Sequence, residues 1–68
     1  MGRHNIGVDV KWYHERVSAW VVRREVAEAV SNGFDEVWIV SHHGFTDGAY
    51  EAADDAEITC ELFTEEPL

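Results

Sequence analysis

Asp9 and Lys11 stand two residues apart within Asn5 to Trp12. In an extended strand that spacing sends both side chains to one face. A carboxylate projecting there can hold Mg²⁺, and the lysine beside it can orient a water or neutralise charge developing on a phosphate. Asp-x-Lys also arises by chance, and alone it reads as an exposed ion pair. His42 and His43 form a second group, with His4 and His14 elsewhere. Adjacent histidines at a strand end point in different directions, and no cysteine or further histidine stands at a zinc-site spacing. Exposure to solvent or helix capping is their simpler role. Arg16, Arg23 and Arg24 could meet phosphate, but pairing with Glu28 and nearby acids on a solvated helix face accounts for them. Trp12, Trp20 and Trp38 read as core or interface aromatics before base-stacking platforms.

The elements that must position these groups alternate. Asn5 to Trp12 reads as a strand with Ile6, Val8, Val10 and Trp12 on one face and Gly7, Asp9 and Lys11 on the other. His14, Glu15 and Arg16 form a short polar connection. Ser18 is placed to cap a helix running to about Ser31. Its core spacing is Ala19, Val22, Val26, Ala29 and Val30, with Arg23, Arg24, Glu25 and Glu28 mostly outward. Asn32-Gly33 ends it, because glycine takes the left-handed conformation without a steric penalty. Glu36 to Ser41 is continuously apolar at its centre, as in a parallel strand covered on both faces. The loop His42-His43-Gly44 leads to a second helix with Thr46 as N-cap, Phe45 stapled to Tyr50, and Asp47 complementing the dipole. Ala49, Ala52 and Ala53 give that helix a thin face, so it should lie close to the sheet. Ile58 to Phe63 is the last strand, and 64–68 is an acidic tail.

This order predicts an α/β fold with a three-stranded, mainly parallel sheet in βαβαβ order. Both helices then fall on one sheet face. The other face is left bare, presenting either the Ile6, Val8, Val10, Trp12 side or its opposite. Self-association, as a homodimer or with a second chain, is the expected cover.

With 68 residues the chain makes one small domain, a size that buries only about 60% of its unfolded surface. Cys60 is the sole cysteine, so no internal disulfide forms, and a lone buried thiol is expected. No signal peptide or membrane-length apolar run is present, which predicts a cytoplasmic location without a membrane partner. Fourteen acidic residues against one Lys and four Arg give a formal charge of −9. With three Trp, three Phe and two Tyr, that balance argues for a folded core under an acidic skin. The surface resembles that of proteins from salt-loving microorganisms, where a short Debye length makes self-repulsion tolerable. It also argues against general attraction to nucleic-acid phosphates.

The ordered set Asp9-Val10-Lys11, Trp12-Tyr13, Val17, the helix Ala19 to Ser31, the strand Val37 to Val40, and Phe45-Thr46 with Ala49 resembles the later part of the Mrr-type restriction endonuclease family. The likeness covers roughly residues 6 to 63. That resemblance implies a partial restriction-endonuclease-like core of the PD-(D/E)xK nuclease fold over about 5–63, and an ancestry in Mg²⁺-dependent hydrolysis of DNA phosphodiesters. It makes Asp9 and Lys11 the catalytic pair, Asp9 a metal ligand, and His42 and His43 DNA contacts. The family also uses a Glu on an earlier helix and an Asp on an earlier strand, and this chain begins after both. The expectation is therefore a truncated endonuclease domain, inactive as an isolated chain, with any Mg²⁺ held weakly. The alternative is a non-catalytic, self-associating interaction module derived from that fold.

Overall fold

A computed structural model describes residues 2–65, so positions 66–68 of the expected acidic tail lie outside it. The elements are β1 (Ile6–Lys11), α1 (Ala19–Ser31), β2 (Glu36–Ser41), α2 (Asp47–Asp54) and β3 (Thr59–Thr64). The last strand takes in Thr64, and the Glu65 amide still donates to the Ser41 carbonyl at 2.9 Å. The sheet is parallel throughout the described residues, in the order β1-β2-β3, with Lys11 opposite Ser41 and Ser41 opposite Thr64.

Both helices cover one face of this sheet. Along β2, Val37, Ile39 and Ser41 are buried, whereas Glu36, Trp38 and Val40 are half-exposed. The expectation of a central strand covered on both faces is therefore corrected to one covered face. An extent of only 15 Å along the shortest axis fits one helix layer on one sheet. The core joins Val22 and Val26 of α1, Val37 and Ile39 of β2, and Ala49 and Ala52 of α2. Of the thin face expected on α2, Ala49 and Ala52 are buried in the core and Ala53 packs against it, partly buried.

The parity of β1 decides which side is bare. Gly7, Asp9 and Lys11 are half-buried on the helix side, while Ile6, Val8 and Val10 are exposed on the other. A Cβ on Gly7 would stand 3.2 Å from the Phe34 ring, so the small residue makes room for that aromatic. Val8, at 59% exposure, shows how open the other face is.

Local signals set the helix ends. Ser18 occupies the N-cap of α1 with extended backbone, but its side chain makes no capping hydrogen bond, against expectation. Gly33 has φ +81°; its amide donates to the Val30 carbonyl at 3.1 Å, and the Phe34 amide to that of Ala29 at 2.9 Å. This pair of bonds is the Schellman ending that Asn32-Gly33 foretells. At α2, Thr46 Oγ1 accepts from the Ala49 amide at 3.1 Å, and the Phe45 and Tyr50 rings meet edge to face at 5.8 Å.

The face of α1 is rotated from expectation. Val22, Val26 and Ala29 are buried as expected, but Val30 is exposed and Ala19 only partly covered; Val21 and Glu25 are buried instead. The series Val21, Glu25, Ala29 repeats every four residues, a helical row that shares one face. A charged residue enters it because the neighbouring strand presents a lysine there.

Candidate active site at the carboxyl end of the first strand

Lys11, the last residue of β1, lies between two carboxylates. Its Nζ is 2.7 Å from Asp9 Oδ2 and 2.8 Å from Glu25 Oε2. The lysine side chain is only 14% exposed and that of Glu25 only 10%. Asp9 and Lys11 share a face because they are two apart on a strand, as the spacing requires. Glu25 descends on them from α1, and Arg24 approaches the same Oε2 at 3.5 Å. Glu25 belongs to the site although its sequence position reads as outward. The available signal was an acid inside an apolar four-residue series, opposite a strand lysine that needed a counter-charge.

Burial alone would favour a neutral amine at Lys11. Hydrogen bonding and charge from Asp9, and then from Glu25, outweigh it and hold the ammonium pKa above its ordinary value. The contact with Asp9 joins a nearly buried ammonium to a half-exposed carboxylate. The Tyr13 ring lies 5.9 Å from Lys11 Nζ. Beside Asp9, a cleft of about 190 Å³ runs between β1 and α1 and is also lined by Gly7, Glu28 and Asn32.

The loop after β2 reaches the same end of the sheet. The His42 amide donates to the Lys11 carbonyl at 3.2 Å. Val17 and Phe45 form a parallel bridge, tying the start of α1 to the start of α2. Ser41, fully buried, donates from Oγ to the Gly44 carbonyl at 2.8 Å and shapes the turn. His42 is half-buried and His43 exposed, with ring centroids 4.7 Å apart. The His42 Nδ1 atom is buried without a hydrogen-bond partner. His14 joins this group, 6.3 Å from His43 between ring centroids. His4 does not: it pairs with Glu36 at 2.8 Å beyond the opposite end of β1. There the Trp38 indole, and after it His4, lower the Glu36 pKa.

The arginines and tryptophans keep only part of their expected roles. Arg24 pairs with Glu25, one of the nearby acids expected, and stacks over Trp20 at 4.6 Å. Trp12 and Trp20 are 65% and 64% exposed, so neither is a core residue. Their rings stand in water because position 12 follows the last paired residue of β1 and Trp20 lies off the buried row of α1.

Mg²⁺ is the group the Asp-x-Lys chemistry implies. Among the described residues, no set of three His, Cys, Asp or Glu side chains is placed to hold a metal ion. Asp9 is already engaged by Lys11. These side chains do not by themselves fit a Mg²⁺ site, and the histidine group does not form one either. Among the described residues, no helix is long and apolar enough to cross a membrane.

A family model described as restriction endonuclease, the Mrr catalytic domain, matches residues 1–68. No curated protein and no solved structure matches the chain.

Proposed function

Because this chain belongs to the Mrr-type restriction endonuclease family, we propose that it acts on DNA and supplies Lys11 and Asp9 to an Mg²⁺-dependent hydrolysis of phosphodiesters. The observation that supports this most is the fixing of Lys11 by carboxylates 2.7 and 2.8 Å from its Nζ. A lysine on a free stem loses side-chain entropy whenever it is used. Clamped by Asp9 and Glu25, its ammonium is already placed and stays charged. Such a group can orient a water and neutralise charge developing on a phosphate oxygen. His42 and His43, at the same sheet end, then contact the DNA.

Mg²⁺ binds with one or two carboxylates and several waters. Asp9 is the carboxylate these residues offer in this reading, and a further one comes from outside them. Residues 5–63 then form a partial nuclease core that is inactive alone and is completed by another segment or a second chain. The test is cleavage of plasmid DNA with Mg²⁺ over a range of salt, comparing the parent with Lys11→Ala. Cutting abolished by Lys11→Ala supports the role of the lysine; cutting that survives it overturns that role. No cutting by the chain alone, restored by a family partner carrying the metal-binding strand, supports completion in trans.

One observation favours a second reading. Ile6, Val8, Val10 and Phe63 stand exposed together on the uncovered sheet face. A self-associating module without catalysis would bury them. Sedimentation in high salt decides: a concentration-dependent dimer lost on Val8→Asp supports it, and a monomer with a cooperative melt overturns it.

A further inference from the structure

Aromatic rings and cations gather at one end of a chain whose net charge is −9. Trp12, His42, His43 and His14 form a continuous run of rings, with successive centroids 5.3, 4.7 and 6.3 Å apart. Trp12, Tyr13, His14 and Arg16 line a groove of about 510 Å³ on this side, together with Glu15, Ser18 and Val21. Tyr13 also lies beside Arg24, where its side chain is the leading influence raising the guanidinium pKa. Arg24 in turn covers the exposed Trp20 ring at 4.6 Å. Among the described residues Arg16 is exposed and in no ion pair.

This surface suits one class of ligand. The acidic remainder repels phosphates, and counterion release contributes little in concentrated salt. Stacking on an aromatic ring needs no net charge, and every nucleobase has a π-face to offer. Bases in a duplex hide those faces against one another. Unpaired bases expose them, on a backbone flexible enough for Arg16 and Arg24 to reach the flanking phosphates.

We infer that the end of the sheet around Trp12, the His42–His43 pair and Trp20 binds single-stranded DNA by stacking its unpaired bases. The inference rests on DNA being the substrate and adds the form in which it is taken. Trp12 is the main platform, with the histidine rings continuing its surface.

The test is a titration of the full chain with a short oligothymidylate, followed by tryptophan fluorescence, beside a blunt duplex, at about 0.1 and 1 M salt. The expected result is quenching by the single strand, weaker binding of the duplex, and no more than about a 25-fold loss of affinity across the salt range, the loss two phosphate contacts on a single strand would give. Trp12→Ala should weaken binding by about tenfold or more, the scale of one lost base–aromatic stack. Trp20→Ala should weaken it too, and Trp38→Phe, in the middle of β2 opposite Val8 and packed on Phe63, should not. Circular dichroism confirms that the variants fold, as removing exposed rings should allow. Equal binding of duplex, no loss on Trp12→Ala, or no quenching overturns the inference. So does a fluorescence change that follows protein concentration alone, because a second copy then covers Trp12. Lys11-dependent cutting of duplex without preference for unpaired regions sinks this inference and leaves the nuclease reading intact. Oligothymidylate binding without any cutting, in the presence of a completing strand, does the reverse.

Discussion

Neutralising Glu25 should cost far less than removing Lys11, although the two share one contact. Each carboxylate lies 2.7 or 2.8 Å from the lysine nitrogen. At an effective dielectric of about 20, either contact is worth about 6 kcal/mol before desolvation. Desolvation removes several kcal/mol per ion. Lys11→Met lets half-exposed Asp9 turn to water but leaves the nearly buried Glu25 without its lysine. Its total cost is therefore about 3–5 kcal/mol, as for breaking a buried pair. Glu25→Gln leaves the Lys11–Asp9 pair and an amide oxygen that still accepts from the ammonium, so about 1–2 kcal/mol is lost. A domain of this size has about 3–10 kcal/mol in all, so Lys11→Met approaches global unfolding. Thermal melts followed by circular dichroism read the difference. Glu25→Gln lowers Tm by about 5–15 °C, and Lys11→Met lowers it further. Replacing both, Lys11→Met with Glu25→Leu, should recover much of the loss, because half-exposed Asp9 can turn to water. The pH dependence has a definite sign. The folded Lys11 pKa is raised above the ordinary 10.5, so its contribution is complete below that pH and is lost as pH rises through the higher folded value. A Glu25→Gln protein as unstable as Lys11→Met, or a double variant worse than either, would refute the clamp.

Thr46→Ala removes a cap that accepts from Ala49 at 3.1 Å and should cost about 1 kcal/mol in denaturant melts. Ser18→Ala, at a cap whose side chain makes no such bond, should stay within about 0.5 kcal/mol of the parent. Gly33→Ala meets open space but must keep φ +81°, so a loss of about 1 kcal/mol is expected from the backbone alone. Burial, with a smaller contribution from Glu61, pushes the Cys60 thiol up to about 11 from 9.0. Near neutral pH the folded protein should then react with a thiol reagent at least about tenfold more slowly than the urea-unfolded chain, because the thiolate is the reactive form. The unfolded thiol loses its proton first, so Cys60 also lowers stability as pH rises from 9 toward 11; equal rates in the two states would contradict its burial.

The sequence carried the architecture because alternation, caps and turn residues are local. Asn32-Gly33 specifies a Schellman ending whatever surrounds it, and Phe45-Thr46 brings both staple and cap. β2 runs from Glu36 to Ser41 as its apolar run indicates. The Asp9–Lys11 pairing was legible for the same reason, being a two-residue spacing on a strand. Glu25 was not, because the rotation of α1 about its axis is a tertiary quantity. Helix periodicity admits a stripe centred on Val22 and Val26 with either Val30 or Glu25 at its border. Hydrophobicity alone chooses Val30, but a lysine arriving from β1 makes Glu25 the better neighbour. The exposure of Trp20 was hidden too, since large aromatics in a short chain are expected to fill its core, whereas Trp12 already stood on the strand side that could be left bare.

The strand β1 is the clearest case of this conflict. Its apolar side faces outward, and its charged side faces a helix. Burial of Val8 and Val10 under α1 would have been worth about 1.5–3 kcal/mol for each. A buried ion cluster in their place is commonly no better than neutral for stability. The register that places Lys11 between Asp9 and Glu25 is thus not the one that stability alone selects for a free-standing domain. Two features stand out together: a lysine held between two carboxylates, and an apolar face open on the other side. Places where local rules fail are where function or partners are expected. Here the same one-residue parity serves both, because a strand that turned Val8 and Val10 inward would carry Asp9 and Lys11 away from Glu25.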